Sequence, residues 1–279
     1  MMNTQIPKFV KWAGGKGQLI KQFEPYFPKK INRYFEPFVG SGAVFFHIIQ
    51  KYNPNEIILS DINGELINTY KIIQNNHLKL IQKLKVYKKE HEKQGKRFYL
   101  KIREKNPLTL DSIERATRFI YLNKTCFNGL YRVNSKGKFN VPMGNYKNPD
   151  IIQEERLKLV SNLLKNVKIK KMPFEKIKDL VKKGDFIYFD PPYYPLKKKN
   201  SFTTYTKDKF MEEEQEKLAQ IYKELHKKGC KVMLSNSDTE FTKKLYSDFN
   251  IKTVQARRVI NSDANGRGLI NEILVLNYS

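Results

Sequence analysis

The sequence predicts an α/β fold in which one sheet domain is interrupted by a mostly helical one. Three observations lead there. Short apolar runs ending in acidic or glycine-rich turns alternate with helical stretches near the start of the chain; apolar spacing then changes to three and four residues; and from about residue 153 the first rhythm returns. In the first block YFEPFVG (34–40) and EIILSD (56–61) read as strands around the helical GAVFFHIIQKY (42–52). In the middle block, residues 67–93 and 112–127 carry helical periodicity with few strand signals. NGLYRVNSKGKFNVPMGNY (128–146) closes it, with Asn128-Gly129 and Ser135-Lys136-Gly137 as turn chemistry, so a β-hairpin is expected there. The last block supplies VKIKK, DFIYFDPPYY, the amphipathic helix MEEEQEKLAQIYKELHKKG, CKVMLSNS, IKTVQA and INEILVLNY. Several of these are continuous Val/Ile/Leu/Phe runs, as in strands covered on both faces. The expected domains are 1–63 with 153–279, and 64–152 inserted between them; no repeat or low-complexity linker separates them.

Composition narrows the function. At 279 residues with 40% hydrophobic and 13% aromatic content, the chain can bury a substantial core. No apolar run approaches the roughly 18 residues a membrane span needs, and MMNTQIPKFVK lacks a signal peptide's apolar stretch, so a cytoplasmic protein is expected. Cys126 and Cys230 stand far apart with no Cys or His at ligand spacing, which argues against a disulfide framework and against a bound metal. His47, His77, His91 and His226 fall in helical stretches without a partner pattern. The 53 Lys+Arg against 28 Asp+Glu give a net charge of +25 spread along the chain, which favours a polyanionic partner; a lysine-rich proteome would give the same balance.

Three constellations carry chemistry. KWAGGKGQLI (11–20) has the ingredients of a phosphate loop but not the pattern, since Val10 stands where a Gly is needed and Gly17 where Ser or Thr should follow Lys16. Its glycines point instead to close backbone approach to a small ligand. FEPFVGSGAVFF (35–46) puts Gly40-Ser41-Gly42 between a strand and a helix, and Asp61 ends the next strand about 20 residues on, where a carboxylate can accept ribose hydroxyls. FIYFDPPYYP (186–195) is the most specific: a buried strand ends in Asp190, and two prolines stiffen the backbone and forfeit their N–H groups, leaving carbonyl acceptors facing one way. A carboxylate with a fixed carbonyl suits a substrate amino group, and Tyr193 suits a flat heterocycle stacked above it. Glu36, Asp61 and Asp190 at the strand ends make an anionic crevice in a cationic chain, which disfavours a phosphate-rich cofactor and suits S-adenosylmethionine, with its sulfonium, ammonium and ribose.

WAGGK, FEPFVGSGAVFF, SDINGELIN, FNGLYRVNSKGKFNVP and FDPPYYP, in this order, resemble the Dam-type family of adenine-N6 DNA methyltransferases, most of all the GATC-modifying members of restriction systems. The resemblance runs from about Pro7 to Tyr278. It implies a Rossmann-like S-adenosylmethionine-dependent methyltransferase sheet, interrupted by a helical DNA-recognition domain at 64–152. It implies a cofactor set of Trp12, Lys16, Glu36, Phe38, Gly40, Ser41, Gly42, Asp61 and Asp190, in which Lys16 meets a carboxylate or a carbonyl rather than a triphosphate. Transfer to a flipped adenine is then expected to rest on Asp190, the Pro191 carbonyl and Tyr193. By position Phe127 fills the vacated stack, Asn128 and Leu130 touch neighbouring bases, Arg132 reads a guanine edge, and Asn140 and Pro142 complete the DNA set. Enteric members carry another aromatic at the position of Phe127 and an Arg at that of Asn145, so outer-base contacts are open. The basic stretch PLKKKNSFTTYTKDKF (195–210) either closes over the flipped base or a phosphate, or is solvated surface. Duplex DNA is the expected partner, single strands a further one, and the protein a monomer. Alternatives are transfer to N4 of cytosine or to an RNA base, and a DNA-binding module with an inactive cofactor site.

Overall fold

The computed structural model describes residues 6–196, 210–257 and 268–279, so most of the basic stretch after the DPPY motif, residues 197–209, lies outside the described residues. Packing divides the chain into two compact units. The described residues of Met1–Gly15, Gly40–Gln50 and Asn63–Lys171 form one, and those of Lys16–Val39, Lys51–Ile62 and Met172–Ser279 form the other.

The strands are β1 (Arg33–Glu36), β2 (Glu56–Asp61), β3 (Lys168–Lys171), β4 (Phe186–Phe189), β5 (Lys231–Ser237), β6 (Asn250–Arg257) and β7 (Leu269–Leu276). They make a seven-stranded sheet in the order β3-β2-β1-β4-β5-β7-β6. β2, β1, β4 and β5 run parallel, and β7 is antiparallel to both β5 and β6. Helices α1 (Ile20–Phe23), α2 (Ala43–Tyr52), α3 (Gly64–Gln94), α4 (Lys96–Glu104), α5 (Ser112–Thr125), α6 (Glu154–Leu164), α7 (Glu212–Lys227) and α8 (Glu240–Leu245) complete the α/β architecture. The expected alternation of the outer blocks and the helical middle are both present. No helix of the described residues is long and apolar enough to cross a membrane.

In the second unit β4 is buried at all four positions, as its unbroken FIYF run requires. One face of α7 (Leu218, Ala219, Ile221, Tyr222, Leu225) packs into a core with Phe35, Ile187, Phe189, Val232, Leu234 and Val275. Arg33 fixes the register at the amino ends of the parallel strands. Its guanidinium donates to Glu56 at 2.6 Å, to Asp185 at 2.7 Å and to the Leu180 carbonyl at 3.2 Å. The opposite, carboxyl ends are thereby aligned.

In the first unit α3 starts at Asn63, whose side chain caps it by accepting from Glu65 and Leu66 N–H, and kinks at Asn76. It packs along α5, which begins at the Asp111 cap. The expected hairpin at 128–146 is present without regular strands, as two isolated antiparallel bridges, Cys126 with Met143 and Val133 with Phe139, and as hydrogen bonds from Asn134 N–H to the Lys138 carbonyl at 2.9 Å and from Asn140 N–H to the Arg132 carbonyl at 3.1 Å. Physical reasons are local. Asn128-Gly129 belongs to a 3-10 turn at Phe127–Gly129 following α5, with both residues at positive φ, and Pro142 has no N–H to give a ladder. The distal turn forms as the sequence suggests, with Gly137 N–H donating to the Asn134 carbonyl at 2.9 Å.

Candidate functional site

In the second unit, β2, β1 and β4 lie side by side and parallel, so Glu36, Asp61 and Asp190 arrive at the same, carboxyl-terminal edge of the sheet, where ligands of α/β folds bind. Glu36 is buried and accepts from the Tyr34 hydroxyl at 2.6 Å. Burial, and then Glu36 itself, hold that phenol well above its ordinary pKa, so Tyr34 stays a donor. The main-chain carbonyl of Asp61 receives Met172 N–H at 3.2 Å, while its half-buried side chain stays at the edge. Phe38 is half-buried, stacked on Phe174 at 5.3 Å and edge-on to Phe210 at 5.6 Å.

Asp190 follows β4 directly. Lys16, 4% exposed, places its Nζ 2.8 Å from Asp190 Oδ1, and Ser235 Oγ donates to the same oxygen at 3.3 Å. Among the described residues nothing engages Oδ2. Burial pushes the Asp190 carboxyl up, with Lys16 and Ser235 pulling the other way. The two prolines do not leave two equivalent acceptors. Gln215, fully buried on α7, donates to the Pro192 carbonyl at 2.9 Å, and its own oxygen accepts from Asn236 at 2.9 Å. Asn236 in turn accepts from Ser237 N–H at 2.8 Å. This amide relay commits the Pro192 carbonyl to the scaffold. Tyr193 donates its hydroxyl to Glu272 Oε2 at 2.7 Å, and Lys16 Nζ sits 4.4 Å from its ring centroid. Burial, then Asp190 and Glu272, raise the Tyr193 phenol well above its ordinary value. The unit therefore joins an ionisable carboxyl, an ammonium, a fixed carbonyl and an aromatic ring within one set of contacts.

In the first unit, the Gly40-Ser41-Gly42 turn has positive φ at Gly40 (47°) and Gly42 (71°). On both glycines the space a Cβ would need is taken by the protein itself. A Cβ on Gly40 would stand 2.9 Å from the Trp12 indole, and one on Gly42 would stand 2.7 Å from the Tyr70 hydroxyl. Tyr70 also donates to the Gly40 carbonyl at 3.0 Å, which seals the turn. Trp12 stacks on Tyr131 at 6.0 Å and lies 6.3 Å from Phe119.

The same unit presents the segment that follows α5. Phe127 is 51% exposed, a large apolar side chain held in water by a short turn. Asn128 has φ 53°, the left-handed region that Asn tolerates better than most residues, and it is exposed; Leu130 is half-buried. Phe127 N–H donates to the Pro142 carbonyl at 2.9 Å, tying the two ends of the segment together. Arg132 is exposed, and Asn140 steadies it by accepting from Nε at 2.8 Å. Behind them Asn123, 2% exposed, accepts from Lys11 N–H at 2.8 Å and donates to the carbonyls of Lys11 at 2.8 Å and Gly129 at 2.9 Å. Beside it on α5, Lys124 is buried, and burial, then Arg156, lower its ammonium to about 7, with Asp150 opposing and Lys11 adding to the fall.

Within the second unit the structure joins Lys16 to Asp190 and Tyr193, and within the first it joins Trp12 to Gly40 and Arg132 to Asn140. Sequence reasoning missed Ser235, Asn236, Gln215, Glu272 and Asn123. A signal existed for three of them. Ser235 and Asn236 are polar residues inside the buried strand β5, and Glu272 is the one charge in LINEILVL.

Comparison with known proteins gives concordant results. The sequence model described as D12 class N6 adenine-specific DNA methyltransferase matches residues 12–260. The chain is 48% identical to type II methyltransferase M.MjaIII of Methanocaldococcus jannaschii, over 98% of this chain and 100% of that protein. It is 42% identical to type II methyltransferase M1.LlaDCHI of Lactococcus lactis, over 97% of this chain and 95% of that one. It is 36% identical to the DNA adenine methylase of Haemophilus influenzae, over 96% and 92% respectively.

Proposed function

The chain belongs to the D12 class N6 adenine-specific DNA methyltransferase family, and from that premise we propose that it methylates adenine within GATC, using S-adenosylmethionine and a base flipped out of duplex DNA. The observation that carries this reading is Asp190. It is a carboxylate with one oxygen held by Lys16 and Ser235, and of the two proline carbonyls that follow it Gln215 engages that of Pro192.

An exocyclic amine is a poor nucleophile because its lone pair is delocalised into the ring. Accepting both N6 hydrogens, one at Asp190 Oδ2 and one at the Pro191 carbonyl, localises that pair on nitrogen in the direction of transfer. Tyr193 stacks on the base and limits its rotation. Lys16 keeps Asp190 ionised in a buried setting. No covalent intermediate with the protein is needed.

The chemistry of the donor set suits the cofactor. Three carboxylates at neighbouring strand ends, in a chain of net charge +25, favour a ligand with a sulfonium and an ammonium over one with phosphates. When bound, S-adenosylmethionine supplies an electrophilic methyl group. Asp61 takes the ribose hydroxyls, and Glu36 and Phe38 belong to the same set; Trp12, Lys16 and the Gly40-Ser41-Gly42 turn are assigned to it on family resemblance. Residues 64–152 form the recognition domain and 1–63 with 153–279 the catalytic one. In the former, Phe127 occupies the space the adenine leaves, Asn128, Leu130, Asn140 and Pro142 line the site, and Arg132 reads guanine. The protein works in the cytoplasm as a monomer on duplex DNA, with single strands as a second substrate.

The test is direct. Purified protein, labelled S-adenosylmethionine and duplexes containing GATC or a permuted site are combined, and the DNA is digested to nucleosides. N6-methyladenine from the GATC duplex alone is expected. N4-methylcytosine as the only product, or tight duplex binding without transfer, overturns the reading.

A further inference from the structure

We infer that Glu272 is a positioning residue for methyl transfer: through a part-buried hydrogen bond it holds the Tyr193 ring in the orientation from which the ring stacks on the target base. The inference deepens the adenine-methylation reading and rests on it.

Strand β7 is LINEILVL, and Glu272 is its single charge. The residue is 8% exposed, in register between Ser237 of β5 and Val254 of β6. A carboxylate in such a place is costly unless it is hydrogen-bonded, so its partner explains its presence. One such partner is the Tyr193 hydroxyl at 2.7 Å.

The backbone of the DPPY loop is already fixed without Glu272. Gln215 holds the Pro192 carbonyl, and Asn236 accepts from Tyr194 N–H at 3.4 Å. What the loop does not fix is the ring, which can still turn about its side-chain bonds. Contacts at its tip and face restrain it: the Glu272 hydrogen bond at the hydroxyl, with Ser235 beside it, and the Lys16 ammonium 4.4 Å from the ring centroid. Lys16 in turn reaches Asp190 at 2.8 Å. The contacts therefore run Glu272 to Tyr193 to Lys16 to Asp190, from a rigid sheet strand to the acceptor carboxylate. A carboxylate is the stronger anchor, because a hydrogen bond to an ion is shorter and firmer than one to a neutral group. It also enriches the ring electronically, which strengthens the ring's hold on Lys16.

The experiment compares wild type, Glu272→Ala, Glu272→Gln, Tyr193→Phe and Glu272→Ala/Tyr193→Phe in single-turnover and steady-state methyl transfer on a GATC duplex, with thermal melts alongside. Glu272→Ala is expected to slow single-turnover transfer ~10–100-fold while KM for DNA and donor changes less than ~3-fold. Glu272→Gln keeps an acceptor for the phenol and should recover most of the rate. In the Tyr193→Phe background Glu272→Ala should have no further effect on the rate, because the bond is already gone. Wild-type turnover by Glu272→Ala, a Gln variant as slow as the Ala variant, or an undiminished loss in the Phe background each overturns the role. No transfer by the wild type overturns the functional reading instead, and the role with it.

Discussion

Around Asp190 almost every polar group is committed to a buried neighbour, through Lys16 and Ser235 on one carboxylate oxygen, Gln215 on the second proline carbonyl and Glu272 on the tyrosine. Along 127–142 the balance is reversed. Phe127, Asn128, Arg132 and Asn140 are exposed, and among the described residues a single side chain, Asn140, steadies the arginine. On the proposed reading, the difference follows from the work each region does. Localising a lone pair requires acceptors that are already aimed and shielded from water, since dipoles that must reorganise contribute little. Reading bases requires donors that exchange water for a base edge, and those must stay accessible until the DNA arrives. On that reading one region has its order built in, while the other would acquire it from the DNA.

If that contrast is right, the largest loss should come from the ordered region. Asp190→Ala is expected to reduce methyl transfer by more than ~10³-fold while duplex affinity stays within a few-fold, measured by labelled methyl incorporation and by fluorescence anisotropy. Retained turnover would erase the distinction between the two regions.

A smaller but sharper effect should follow from Lys16→Met. Burial raises the Asp190 carboxyl, so activity that needs the carboxylate is lost as pH falls through a value above the usual carboxylate range, and it is retained at higher pH. Removing the opposing ammonium lets that value rise further. The acid limb of the pH–rate profile should shift to higher pH, with a loss of ~10-fold or more at neutral pH that recovers on raising it. An unmoved limb would mean that Lys16 does not hold the charge on Asp190.

On the exposed side, Arg132→Ala should relax discrimination at one guanine by ~1–3 kcal/mol, and Asn140→Ala should do the same more weakly by leaving the guanidinium unsteadied. Rates on single-base variants of the duplex give both numbers. Equal weakening on every sequence would make Arg132 a phosphate contact. The smallest effect concerns folding. Phe127→Ala should change stability by no more than ~0.5 kcal/mol in urea melts, since the ring is half in water, yet lower the 2-aminopurine fluorescence that reports an extruded target base.

The same contrast decides what a sequence can disclose. Strands such as FIYF and the helical periods of 67–93 declare themselves because burial on a regular element imposes a regular pattern. Asp190 was legible for a related reason, as a charge closing an apolar run before two prolines. The partners that make the site rigid were not. Lys16 and Asp190 lie 174 positions apart in sequence, from numbers 16 and 190, and Tyr193 and Glu272 are 79 apart, so only the assembled sheet brings them together. The glycines at 40 and 42 were legible as a turn, whereas the packing of Trp12 and Tyr70 against them was not, because neither residue has a fixed sequence relation to the turn. The hairpin at 128–146 was overdrawn, since turn residues announce a reversal of direction without saying whether a ladder forms beside it.

Asn123 bears on any attempt to rewrite the letters that the proposed recognition segment would read. Its amide holds the backbone at Lys11 and at Gly129 simultaneously, acting as a clasp between two stretches far apart in the chain. Transplanting only the loop from another relative would leave half of that clasp foreign. A working chimera should carry the stretch around position 11, the amide and the loop as one cassette.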